Sequence, residues 1–240
     1  MAQMRLDKII SSTGRWSRRE VKQLVKEGRI LVDGKPAPAV DGKWDPEQSE
    51  ILVDGEVLCF STYHYVMLNK PAGVLSATED RRAGTVLDLL PPELQKLELF
   101  PVGRLDKDTE GLLLMTDDGA LAHRLLSPKH HVDKVYYVRA EGLLTEADCA
   151  AFAEGITLED GLHCLPAKMK ILSAGTQSEA LVTLREGKFH QVKRMLASRG
   201  APVSYLKRLS MGPLRLDPQL EKGAWRYLTK SETDMLLRLK

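Results

Sequence analysis

Apolar residues in the first part of the chain recur first at helical spacing and then in short continuous runs. Leu6, Ile9 and Ile10 fall on one face of a helix. Val21, Leu24 and Val25 do the same in a second stretch, opened by Ser17 with Glu20 three positions on and stopped by Gly28. Ile30–Val32 then meets Asp33-Gly34, and Ile51–Val53 meets Asp54-Gly55, a strong signal for tight hairpins. Residues 1–60 are therefore expected to form two short helices leading into a small sheet.

After a polar stretch at 61–64, residues 61–240 mix the two patterns. Strands are expected at Tyr65–Leu68 (ended by Asn69-Lys70-Pro71), Leu112–Met115, Val135–Arg139, Ala180–Leu184 and from Val203 to Leu206. Helices are expected at Val86–Leu90, stopped by Pro91-Pro92, and at Ala120–Leu126 after the Asp118-Gly119 turn. Others should run from Thr145 to Gly155, around Val192, Met195 and Leu196, and after the capping pair Thr229 and Glu232. Without regular βαβ spacing, this predicts an α+β fold with a mainly antiparallel sheet flanked by helices.

With 240 residues, 43% of them hydrophobic and 28% charged, the chain has the composition of a soluble globular protein with a proper core. No apolar run is long enough for a membrane span, and the first residues lack a signal-peptide core. Three widely spaced cysteines, Cys59, Cys149 and Cys164, suggest buried thiols in a reducing cytoplasm. The net charge of +2 conceals an uneven distribution. Residues 1–35 carry nine Lys/Arg against four acids, and residues 185–210 carry seven against Glu186 alone. Two separated basic patches suit a polyanion held at two places, although solvated helix faces would also account for either one.

The densest chemistry lies in GRLDKDTEGLLLMTDDG, residues 103–119. Asp106 follows a glycine-led turn and precedes a buried strand, which suits a partly desolvated carboxylate. Such a group stays ionised only beside a cation or hydrogen-bond donors. GKFHQVKRM, residues 187–195, offers Lys193 and Arg194 with an aromatic platform. A carboxylate facing a cation there would suit attack on a sugar or base whose bond breaks with cationic character. Asp108 and Glu110 read as solvated loop acids or partners of Lys107, and Asp117 and Asp118 as turn and cap. His130-His131 lacks a third metal ligand, and His190 reads as a backbone or RNA contact. Tyr136 and Tyr137 should face opposite sides of a strand. No phosphate loop, dinucleotide fingerprint or metal motif is present, so no cofactor or metal is expected.

Residues 4–38, RLDKIISSTGRWSRREVKQLVKEGRILVDGKPA within them, resemble the small RNA-binding domain of ribosomal small-subunit protein S-four. That resemblance implies RNA held along the helix pair by Arg5, Lys8, Arg15, Arg18, Arg19 and Lys22, through phosphate neutralisation. Five further motifs occur in order: NKPAGVLSAT, GRLDKDTEGLLLMTDDG, SPKHHVDKVYYV, EGKFHQVKRML and the tail LSMGPLRL with its following G-x-WR-x-LT-x-x-E. Together they resemble the RsuA branch of the pseudouridine synthases, which implies a catalytic domain at 61–240. The resemblance implies Asp106 as nucleophile, Tyr136 stacked on the target base, and Lys193 as the ion-pair partner of Asp106. It further implies that Arg104 helps hold a flipped nucleotide. Neighbouring Arg194 is a second candidate cation, and His190 and Gln191 complete the expected substrate-binding set.

The activity so implied is isomerisation of uridine in ribosomal RNA, with small-subunit RNA favoured by SPKHH, DK-x-Y and HQVKRM. Large-subunit RNA, a non-catalytic RNA-binding assembly factor and a base-removing glycosylase stand as alternatives. The expected partner is ribosomal RNA or an assembling subunit, met by a monomer in the cytoplasm.

Overall fold

The structure, a computed structural model, describes residues 3–46, 48–58, 60, 62–127, 130 and 132–239. Cys59, His131 and part of the expected 61–64 linker lie outside the described residues. The chain divides into two compact units: Met1–His64 with Leu90–Leu99, and Tyr65–Leu89 with Phe100–Lys240.

In the first unit, α1 (Leu6–Ser11) and α2 (Arg18–Lys26) bury Leu6, Ile9, Ile10, Val21 and Leu24. The capping box forms as the spacing predicts: Ser17 Oγ accepts the Glu20 N–H, and the Glu20 carboxylate accepts the Ser17 N–H. Strands β1 (Ile30–Val32) and β2 (Ile51–Val53) pair antiparallel, with Lys35–Pro36 and Glu56–Val57 at the edges. Their turns hold φ of 51° and 75° at Asp33-Gly34, and 54° and 81° at Asp54-Gly55. Positive φ at both central residues is the backbone that matches strand twist in a two-residue hairpin. The inward side chains of both strands join the helical core.

One expected element moves. Val86–Leu90 is not helical; the helix follows it as α3 (Pro92–Gln95). Proline lacks an N–H but has a helix-compatible φ, so Pro92 opens this helix instead of ending one. Residues 90–99 belong to the first unit. A Cβ at Gly14, where φ is +74°, would lie 2.2 Å from the Glu93 carbonyl oxygen and 3.2 Å from Leu97. Glycine is required there by close approach as well as by backbone angle.

The second unit is built on a nine-stranded sheet. Its longer strands are β3 (Tyr65–Lys70), β4 (Glu110–Thr116), β5 (Lys134–Glu141), β6 (Lys168–Ser173), β7 (Gln177–Leu184), β8 (Val203–Met211) and β9 (Trp225–Tyr227). They run in the order β6-β7-β5-β8-β4-β3-β9, antiparallel except for the parallel pair β8–β4. At that junction a Cβ on Gly111 would lie 2.3 Å from the Arg208 carbonyl oxygen. The glycine lets β4 start against β8. Helices α4 (Gly119–Leu126) and α7 (Lys230–Leu237) pack Leu121, Leu125 and Leu236 over Met67, Leu112 and Leu114. Two further helices, α5 (Glu146–Glu154) and α6 (Gln191–Ala197), complete the α+β architecture. Among the described residues, no helix is long and apolar enough to cross a membrane.

Candidate active site

Strand β3 continues through Asn69 and Lys70 instead of ending at Leu68, and Lys70 is fully buried. Its three N–H donors are shared among four carbonyl oxygens: Thr109 at 2.9 Å, Asp106 at 3.0 Å, Pro71 at 3.1 Å and Lys107 at 3.2 Å. Burial pushes this lysine down to about 8, against the pull of Asp108, Asp106 and Glu110. The loop carrying Asp106 is thus wrapped around a buried ammonium. Ser76 Oγ fastens its entrance, donating to the Leu105 carbonyl at 2.8 Å and accepting the Leu105 N–H at 3.0 Å. Sequence reading missed Lys70, because a lysine before proline looks like a strand end.

Asp106 emerges from this loop with a quarter of its side chain exposed. Lys193, on the first turn of α6, approaches Asp106 Oδ2 at 3.1 Å. The same ammonium bonds Asp108. Burial alone would lower Lys193, but the two carboxylates outweigh it and hold it above the ordinary value; Lys193 in turn holds Asp108 below its own. Asp108 is thus the exposed loop acid that was expected, but it pairs with Lys193 rather than with Lys107. Glu110 is not a solvated loop acid: it is buried, accepting from Tyr205 Oη at 2.6 Å and pairing with Lys222 at 2.8 Å. Asp118 caps α4 by accepting the Leu121 N–H at 2.9 Å.

His190 precedes α6 with φ +50° and ψ +31°, the left-handed region that a non-glycine residue rarely adopts. Its Nε2 lies 3.6 Å from Asp106 Oδ1, and its ring stacks on Phe189. Gln191 is buried with its amide spent on the preceding loop: Oε1 accepts the Lys188 N–H at 3.0 Å, and Nε2 donates to Glu186 at 2.5 Å. It braces the loop rather than presenting donors to a substrate. Arg194 departs further from expectation, since its guanidinium bonds Asp160. Neighbours on a helix point about 100° apart, so Lys193 and Arg194 cannot both face Asp106.

Arg104, Asp106, Thr109, Tyr136, Lys188 and His190 border a cleft holding about 410 Å³ of space, part of it open to solvent. Leu184, Val192 and Leu206 supply apolar wall. Tyr136, 8% exposed, sits on β5 opposite Val182 and Arg208, while Tyr137 turns to the other side beside Tyr205. Arg104 is exposed at the rim and has no ion-pair partner among the described residues. Lys134 and Arg208 are buried nearby; burial, then the charge of Arg208, lowers Lys134. The arrangement presents one carboxylate, held by a cation, at the mouth of a half-apolar cleft with an aromatic wall. That is a setting for covalent attack on a flat polar ring or its sugar.

In the first unit, Lys8, Arg15, Arg18, Arg19 and Lys22 are all exposed on α1, α2 and the turn between them. Arg15 pairs with Glu56 at 2.9 Å, and Arg5 with Asp7 at 2.9 Å, while Lys8, Arg18, Arg19 and Lys22 have no ion pair among the described residues. Cys164 is buried and Cys149 partly so, both as free thiols.

Residues 64–198 match the family model described as RNA pseudouridylate synthase, and residues 4–37 match the S4 domain. The chain is 49% identical over 234 residues to an RNA pseudouridine synthase of Bacillus subtilis, YtzG, covering 97% of this chain and 98% of that one. It is 39% identical over 232 residues to the ribosomal small subunit pseudouridine synthase A of Vibrio vulnificus, covering 96% and 98%. A crystal structure of a pseudouridylate synthase superposes with a TM-score of 0.68 at 36% identity, covering 97% of this chain and 99% of that one.

Proposed function

The chain belongs to the RNA pseudouridylate synthase family, a family of isomerases, and carries an N-terminal S4 domain; from that premise we propose that it converts a uridine of small-subunit ribosomal RNA to pseudouridine, with Asp106 as nucleophile. The observation that carries the reading is the Asp106 carboxylate, 3.1 Å from Lys193 Nζ at a cleft bordered by Tyr136. In this reaction the glycosidic carbon–nitrogen bond breaks, the uracil turns, and a carbon–carbon bond forms at C5 of the ring. The C5 proton leaves to solvent and N1 gains one, so the sum is an isomerisation needing no redox partner. Lys193 orients the carboxylate, Tyr136 stacks on the uracil, and Arg104 at the rim holds the displaced phosphodiester. Removing the base from its stack costs a few kcal/mol, which the cleft must offset.

The choice of small-subunit RNA is supported by the likeness to synthase A of Vibrio vulnificus over nearly the whole chain. The exposed cations of α1 and α2 support RNA binding by the first unit, through phosphates rather than bases. The reading includes a cytoplasmic monomer acting on ribosomal RNA or an assembling subunit, with a first domain at residues 1–60 and a catalytic domain within 61–240, from which Leu90–Leu99 is set apart because it groups with the first unit.

Ribosomal RNA and precursor particles bearing tritium at uridine C5 test this. Wild type should release tritium while the RNA chain and base count stay intact, and Asp106→Asn should lose at least about 10⁴-fold of the rate. Free uracil in the supernatant would indicate a glycosylase. Absence of release from every substrate would leave a binding factor.

A further inference from the structure

Phe189 is 75% exposed, the most of any large hydrophobic residue described, and stands just outside the cleft lining. Its exposure is not that of a loose loop. On either side of it the backbone is tied: the Lys188 N–H to Gln191 Oε1 at 3.0 Å, the Gln191 N–H to the Lys188 carbonyl at 3.2 Å, and the Arg194 N–H to the His190 carbonyl at 2.9 Å. Lys188 Nζ adds an ion pair to Glu186 at 3.2 Å. One face of the Phe189 ring lies on the His190 imidazole, with centroids 3.8 Å apart and planes 17° from parallel. The imidazole in turn reaches within 3.6 Å of Asp106.

A rigid aromatic face left in water is unfavourable unless something covers it. Arg104, exposed and without an ion pair among the described residues, borders the same cleft and puts an unneutralised positive charge there, while Lys188 is paired with Glu186. A flat, apolar face attached to an anionic chain fits both features, and nucleobases meet that description whatever their identity. We propose that the outer face of Phe189 stacks on an RNA base next to the uridine that enters the cleft. Phe189 and His190 then form a two-ring column that continues the RNA stack up to the point where the target has left it. The left-handed turn at His190 sets the column's direction, placing the second ring beside Asp106 rather than away from it.

This inference rests on the chain acting on uridine in RNA, and its test separates the two. On C5-tritiated ribosomal RNA, Phe189→Ala should raise KM about tenfold and leave kcat within about twofold, as expected for loss of one stacked base. Phe189→Leu, still bulky but without a π face, should behave like the alanine variant, whereas Phe189→Tyr and Phe189→Trp should restore wild-type KM. The emission contributed by the new indole of Phe189→Trp, taken as the difference from wild type, should be quenched when RNA binds. Equal KM in the leucine and tyrosine variants, or an unquenched indole, would overturn the stacking assignment while wild-type turnover stands. Failure of wild type itself to release tritium would instead remove the reading on which it rests. Circular dichroism identical to wild type excludes misfolding as the cause of any loss.

Discussion

In the first unit Lys8, Arg18, Arg19 and Lys22 hold their charges in water, whereas in the second Lys70, Lys134 and Arg208 are buried. The exposed set makes no ion pair among the described residues and acts outward over roughly a Debye length, about 8–10 Å at ordinary salt. The buried set acts inward. Lys70 exchanges hydration for four carbonyl oxygens and so fixes the shape of a loop. Lys193 stands between these extremes, partly exposed and shared by two carboxylates. The same side chain thus serves as a phosphate attractor, a scaffold pin or a site component, depending on what surrounds its amine.

The contrast can be broken or sharpened by substitution. The largest effect should come from Lys70→Met, which keeps the volume but leaves the Thr109 carbonyl without its donor and the Asp106 and Lys107 carbonyls with only the backbone N–H groups of Thr109 and Gly73. A loss of about 3 kcal/mol is expected in urea unfolding, together with activity. If stability were unchanged, the scaffold role would be wrong. Lys193→Met should lower kcat/KM about a hundredfold by freeing Asp106 to turn toward solvent, and Lys193→Arg should recover part of it. Full activity in the methionine variant would remove the ion pair from the mechanism.

A pH series adds a signed test. Because the folded value for Lys70, about 8, lies below the ordinary 10.5, the unfolded chain binds more protons between those values. The cost of burying the charge is therefore present below pH 8 and relieved as pH rises toward 10.5. Wild type should gain about 2 kcal/mol relative to Lys70→Met between pH 7.5 and pH 9.5. Smallest should be Arg18→Gln with Lys22→Gln: RNA affinity falls about tenfold at moderate salt, the log–log salt slope drops by about 1.5, and stability stays within about 0.5 kcal/mol. A slope unchanged by that pair would place the RNA elsewhere.

Elements whose cause is local were legible in the sequence. The Ser17–Glu20 box and the two Asp-Gly turns each depend on residues within four positions, and the structure contains them. Strand β6 escaped notice because its alternation is broken by polar Ser173 and by an irregular pairing at Ile171–Ser173. The helix expected before Pro91 failed because proline is compatible with a helix start as well as with a stop. Within the cleft, charge pointed to Lys193 or Arg194 as the cation facing Asp106, and the family resemblance singled out Lys193. The partners of Asp108, Glu110 and Lys70, 85, 95 and up to 39 positions away, were not anticipated, since no resemblance linked them as it linked Asp106 to Lys193. Arg194 was open to correction from helix geometry alone.

The stretch Leu90–Leu99 has a topological consequence. Because it belongs with residues 1–64, the chain passes between the two units at 64–65, 89–90 and 99–100. A protease that nicks one of these joins leaves the others covalently intact. A gene fusion or domain swap that ends at residue 64 carries α1 and α2 away but strands α3, uncovering Leu97 where Gly14 had met it. A transplant that preserves the whole first unit must therefore carry Leu90–Leu99 together with residues 1–64.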